Sequence, residues 1–189
     1  HPTFGVDRQM VQACIAGGKE AMFVSFENAE DSRELGEQDA INVKITAKDA
    51  VVGITASGRT PYVIAALEMA KKEGAATIGL VNNFESPLNK VCVVVIAPVV
   101  GPEALTGSTR MKAGTAQKLV LNMISTAVMI RLGRVKGNKM IDMQLSNQKL
   151  TERAIRMVMD EAKVDKMLAQ KLIEQYGSVR EAVKKALNP

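Results

Sequence analysis

Residues 50–60, Ala50-Val51-Val52-Gly53-Ile54-Thr55-Ala56-Ser57-Gly58-Arg59-Thr60, decide the reading of the fold. An apolar strand runs straight into a Ser-Gly-Arg-Thr turn, and Pro61 then opens a helix. Proline suits the first helical position because its missing N–H would go unpaired there anyway, and Thr60 before it is a capping residue type. The turn is therefore predicted where a strand's carboxyl end meets a helix's amino end. Free backbone N–H groups, hydroxyls and the positive end of the helix dipole converge at such a place. A phosphorylated small molecule is the ligand it suits.

Working outward, residues 75–81 and 91–97 form two further apolar runs. All three runs are continuous rather than alternating, as expected of parallel strands buried on both faces. A helix over 61–73, closed by Gly74, joins the first two. Strand, helix and strand in alternation imply an α/β fold with an open parallel sheet covered by helices. Ligands of such sheets bind at the carboxyl ends of the strands. Upstream, residues 7–16 and 19–26 read as helices separated by Gly17-Gly18, and the acidic stretch 31–40 as a solvent-facing helix. Downstream, a hydroxyl- and base-rich loop over 101–118 leads into a long apolar helix ending near Gly133. After a polar connector around Gly137-Asn138, residues 146–161, 164–176 and 178–187 read as three amphipathic helices. The expected organisation is a main domain over 1–137 and a small helical domain over 138–189.

Composition narrows the function. The chain has 189 residues, 47% of them hydrophobic but only 3% aromatic, with no Trp. Its core must then be Ala, Val, Ile, Leu and Met, and the eleven methionines read as core filler. The lack of stacking platforms argues against single-stranded nucleic acid as a ligand. The net charge of +5 is uneven: residues 27–39 are acidic and residues 103–139 basic. A basic segment near an anion-binding turn fits a small anionic ligand, and a solvated basic face fits it equally. Cys14 and Cys92 lie among apolar residues and read as buried, reduced thiols, without a disulfide framework. The apolar run 119–130 is too short and too polar to span a bilayer, and no signal peptide is visible, so a soluble chain is expected. The single histidine, His1, excludes a histidine metal cluster and most nucleophile–histidine pairs. The opening His1-Pro2-Thr3-Phe4 has no initiator Met and reads like the middle of a domain, so the chain is expected to be the later part of a longer protein.

Two loops carry the candidate site. In the first, Thr55, Ser57 and Thr60 offer hydroxyls, Gly58 lets the backbone approach closely, and Arg59 adds charge. An ordinary strand-to-helix turn with capping hydroxyls would contain the same residue types. In the second, Thr106, Ser108 and Thr109 precede Arg110 and Lys112, which either contact ligand or hold the loop. Two such loops in one βα domain make a sugar-phosphate site more credible than either alone. Glu30, within Glu27-Asn28-Ala29-Glu30-Asp31, is the carboxylate placed for acid or base work, although acidic helix starts are common because carboxylates suit the helix dipole.

Thr-Ala-Ser-Gly-Arg-Thr-Pro-Tyr at 55–62 resembles the phosphosugar-binding loop of sugar isomerase (SIS) domains. The run Gly101-Pro102-Glu103, then Thr106-Gly107-Ser108-Thr109-Arg110-Met111-Lys112-Ala113-Gly114-Thr115-Ala116-Gln117-Lys118, closely resembles the signature of the bacterial N-acetylmuramic acid 6-phosphate etherases. Pro2-Thr3-Phe4-Gly5, Ala29-Glu30-Asp31 and a short helical C-terminal domain also match. The resemblance implies a three-layer α/β/α SIS domain in a cytoplasmic, homodimeric lyase needing no metal or organic cofactor. Such a lyase removes D-lactate from N-acetylmuramate 6-phosphate by elimination from the open-chain sugar, followed by addition of water. It implies two glutamates: Glu30 matches the second, while the first belongs upstream of the Pro-Thr-Phe motif, outside this sequence. Substrate contacts are implied at Thr55, Ser57, Gly58, Arg59, Thr60, Ser108, Thr109 and Lys112. A non-catalytic sugar-phosphate sensor is the competing expectation, since glucokinase regulatory protein resembles the same family. No nucleic acid and no membrane partner is expected.

Overall fold

The structure, a computed structural model, describes residues 3–188; His1, Pro2 and Pro189, and so the expectations placed on His1 and Pro2, lie outside the described residues. Residues 13–122 form one compact unit, and residues from 123 onward, with the stretch up to Gln12, form another.

The first unit holds α1 (Arg33–Asn42), β1 (Ala50–Ile54), α2 (Pro61–Lys72), β2 (Ala76–Leu80) and β3 (Val94–Ile96), and α3 (Lys112–Arg131) begins in it. The three strands are parallel in the order β1-β2-β3. In register, Gly53 of β1 stands beside Gly79 of β2. A Cβ at Gly53 would run into the side chains of Leu67 and Val63, and one at Gly79 into Leu88. The two bare positions thus admit Leu67 of α2 and Leu88 of the 3-10 turn Pro87–Lys90 onto the sheet, where they form a core with Val81 and Val91. Thr77, fully buried in β2, satisfies its hydroxyl by donating to the Val91 carbonyl at 3.0 Å. α1 packs on α2: its Gly36 lies against the Tyr62 main chain, and the Tyr62 hydroxyl donates to Asp39 at 2.5 Å.

Several expectations need correction here. No helix forms over 7–16, and 19–26 yields only the 3-10 turn Lys19–Met22. Asp7 accepts the Gln9 amide at 2.7 Å, a local bond that competes with helix formation. Gly17 and Gly18, both at positive φ, then break the chain's course. The third strand is shorter than 91–97, because the Val91 and Cys92 amides bond the Leu88 carbonyl and close a turn instead. Nor are the strands fully buried: Ile54 of β1 and Val94 of β3 are exposed, at 41% and 50%. Cys14 is exposed and Cys92 half-buried, and both are free thiols.

The second unit contains the hairpin β4 (Val135–Lys136) and β5 (Lys139–Met140), turning at Gly137-Asn138, where a loop was expected. Gly in a two-residue turn between short strands is a hairpin signal. Then come α4 (Gln148–Ala162), α5 (Lys166–Tyr176) and α6 (Val179–Leu187), each within a few residues of its sequence-based bounds. Their inner faces build a core around Ile155, Val158, Leu172, Ile173 and Val179. Asp142 is gripped by Arg180 at 2.7 Å and Arg134 at 3.3 Å. Arg180 first, and Arg134 after it, hold the Asp142 carboxyl below its ordinary range against the opposing effect of burial. No helix among the described residues is long and apolar enough to cross a membrane.

Candidate functional site

β1 delivers Thr55 to the rim of the sheet, where the Thr55 amide bonds the Leu80 carbonyl at 3.1 Å. Beyond it the turn is knitted by its own hydroxyls. Thr55 and Thr60 share a hydrogen bond at 2.7 Å, Thr55 and Ser57 a longer one at 3.4 Å, and Ser57 Oγ accepts the Arg59 amide at 3.2 Å. Thr60 occupies the N-cap position of α2, but its hydroxyl does not cap the helix; it is turned to Thr55 instead. Among the described residues, no acceptor meets the main-chain N–H of Ser57, Gly58 or Thr60. Gly58 has φ +70°, and a Cβ on it would strike Ser86, so this position requires glycine on both counts. Arg59 is exposed.

The second loop is closed by a residue that the sequence reading quoted but gave no role. Glu103 accepts the amides of Lys112 and Ala113, each at 3.0 Å, and so caps the amino end of α3. Those two bonds, Ala113 first, hold the Glu103 carboxyl below its ordinary range. The Lys112 ammonium donates to the Pro102 carbonyl at 2.9 Å, so it holds the loop. Ser108 is half-buried, with its amide bonded to the Leu105 carbonyl.

A hollow of about 280 Å³ lies between the two loops. Ala56 and Ser57 of the first loop, Glu103, Thr106 and Thr109 of the second, and Asn82 all line it. The two loops therefore share one cavity, although Ser108 and Lys112 are not among the residues lining it. Asn82 is a lining residue that the sequence reading missed. It follows the carboxyl end of β2, where the topology of an open sheet directs ligands, and that position was the signal to follow. Its amide nitrogen donates to Pro98 at 2.9 Å and its backbone N–H to Ala56 at 2.9 Å, tying the ends of β2 and β3 to the turn.

Glu30 sits on an exposed turn just before α1 and does not line the hollow. Its position is nonetheless tied to the turn at 55–60, because its main-chain carbonyl accepts the amide of Tyr62, in the first turn of α2, at 3.0 Å. Among the described residues, no group of three or more His, Cys, Asp or Glu side chains is placed to hold a metal.

A family model described as the glucokinase regulatory protein N-terminal SIS domain matches residues 3–71. An N-acetylmuramic acid 6-phosphate etherase of Symbiobacterium thermophilum is 55% identical over 183 residues, 96% of this chain and 61% of the relative. The Vibrio cholerae N-acetylmuramic acid 6-phosphate etherase 2 is 55% identical over 92% of this chain and 57% of its own length. A Caldanaerobacter subterraneus etherase is 59% identical over 83% and 51%. The chain has an α/β fold that matches a SIS domain over residues 3–71, and it is similar in sequence to these etherases over most of its length. It spans between 51% and 61% of the length of these three etherases. The parallel sheet, with its hydroxyl turn at the carboxyl end of β1, is the part of that fold on which the site stands.

Proposed function

We propose that this chain is the sugar-phosphate-binding part of a cytoplasmic, homodimeric lyase of cell-wall amino-sugar recycling. That lyase cleaves the D-lactyl ether of N-acetylmuramate 6-phosphate to give N-acetylglucosamine 6-phosphate and D-lactate. The observation that carries this reading is the shared hollow: Ser57, beside the uncapped start of α2, lines it together with Thr106 and Thr109 of the second loop. The names of the relatives, half or more identical over most of this chain, supply the substrate. The sugar-phosphate domain is assigned to residues 1–137 and the helical domain to 138–189.

In this reading the phosphate takes the open amides of the turn, helped by the Ser57 and Thr60 hydroxyls and by the positive end of α2. Thr109, with Ser108 behind it, closes the far side, and Arg59 lends charge at the rim. The acidic proton beside the aldehyde of the open-chain sugar is taken by a base. The carbon–oxygen bond to lactate then breaks as that oxygen is protonated, and water adds across the resulting double bond. Glu30 serves as the acid/base group, held beside the phosphate turn through Tyr62.

Free lactate released from N-acetylmuramate 6-phosphate by the protein as its gene encodes it is the decisive measurement. Glu30→Gln is expected to lower that release by about two to four orders of magnitude while leaving binding of the product intact. The match to a regulatory SIS domain favours one second reading, a sensor. Tight binding of the phosphosugar without lactate release would select it.

A further inference from the structure

We propose that Tyr62 is a positioning residue for Glu30, using its hydroxyl bond to Asp39 to fix the carboxylate's place relative to the phosphate turn. This rests on the acid/base role proposed for Glu30 above.

Tyr62 is only 5% exposed and lies in the first turn of α2, two residues past the turn hydroxyl of Thr60. Its amide is held by the Glu30 carbonyl, and its phenol donates to Asp39 at 2.5 Å. Asp39 lies on α1, whose capping residue Ser32 follows Glu30 by two positions. The segment bearing Glu30 is thus tied to α2 at two points, one on either side of the α1 start, and both ties run to the same tyrosine. Ala29, beside Glu30, is buried, and Asn28 adopts the left-handed region at φ 64°, so the intervening turn is folded in one defined way. Gly36 lets the Tyr62 main chain lie directly on α1. On the exposed side of the pair the Arg33–Glu68 ion pair links the same two helices, and both of its side chains are about half exposed.

The chemistry of the bond suits a fixed link. Burial first, and the Asp39 carboxylate second, push the Tyr62 phenol well above its ordinary range, so it remains a donor across the working pH range. The groups facing it are Asp39 from α1 and the Cys14 thiol, itself pushed up by burial and by Asp39. A charge-assisted bond from a phenol to a carboxylate is short and directional. Near α2, where the phosphate turn is rigidly continuous with the helix, a small shift of α1 changes the distance between bound substrate and Glu30. Misplacement by about 1 Å is enough to cost a hundredfold in rate.

The test is a double-mutant cycle on lactate release in the protein as its gene encodes it. Tyr62→Phe should lower kcat by about ten- to a hundredfold with KM and the affinity for inorganic phosphate changed less than about threefold. In a Glu30→Gln background the same substitution should add little, because the group it positions is already gone. Asp39→Asn, which keeps an acceptor for the phenol, should retain more activity than Asp39→Ala. A Tyr62→Phe protein that melts lower but turns over at the wild-type rate overturns the proposal while sparing the role of Glu30. Effects of Tyr62→Phe and Glu30→Gln that simply add overturn it too. Turnover undiminished by Glu30→Gln removes the acid/base reading, and this proposal with it.

Discussion

The helical unit and the sheet unit treat the amino ends of their helices differently. α4, α5 and α6 each keep a cap of their own: Asn147, Asp165 and Ser178 accept the amides of Leu150, Leu168 and Glu181. In the sheet unit α1 is capped in the same way by Ser32, and α3 borrows the carboxylate of Glu103 from nine residues upstream. α2 has neither. Its Thr60 is a capping residue by type and by place, yet its hydroxyl is spent on Thr55. A helix start closed by its own side chain is a stability device; one left open beside a cavity is free to receive an anion. The difference separates scaffold from site within one chain.

Substitutions in the turn and at the caps break or sharpen that contrast. Gly58→Ala should do most damage, because the position combines positive φ with contact on Ser86. Strain of about 1–3 kcal/mol falls on the turn, and lactate release should drop by at least about a hundredfold, as followed by turnover and thermal melting together. Ser57→Ala should weaken phosphosugar binding about tenfold, measured by calorimetry, with little change in melting temperature. The caps should then show the opposite pattern. Asn147→Ala, Asp165→Ala and Ser178→Ala should each cost about 1 kcal/mol of stability and leave phosphate affinity unchanged, whereas Thr60→Ala, which also removes the bond to buried Thr55, should lose affinity. Equal behaviour of Thr60 and Ser178 in these two assays would erase the distinction drawn here.

The smallest effect concerns acid. Asp142 is held below its ordinary range by Arg180 and Arg134, so its contribution is complete above about pH 4 and is lost as the pH falls through the lowered value. Arg180→Ala should cost at most about 1 kcal/mol near neutral pH, given the half-exposed guanidinium, and should flatten the acid limb of a melting-temperature profile.

How much of this was legible in the sequence varies with how local the cause is. β1, β2, α2 and the three C-terminal helices come close to their sequence-based bounds because apolar runs, Pro61, Gly74 and Gly177 act over a few residues. The two loops are recognisable by composition, and the fold brings them to one hollow as their shared sheet rim implies. Two kinds of information were hidden. Where a polar side chain finds its partner is a tertiary fact: Thr60 turns to Thr55, Lys112 to Pro102 and Tyr62 to Asp39. And 7–26 carries a helical pattern of apolar residues without a packed surface to reward it. Met10, Val11, Ile15, Met22, Phe23 and Val24 all remain exposed.

The in-register glycines of β1 and β2 carry a consequence for the protein's evolution and engineering. Because Leu67 occupies the space a methyl group would fill at Gly53, that strand position sets how deeply α2 is seated. An alanine there would lift the helix like a shim beneath a hinge leaf and tilt the mouth of the cavity without touching any residue that lines it. Searches for altered substrate preference would do well to begin beneath the helix.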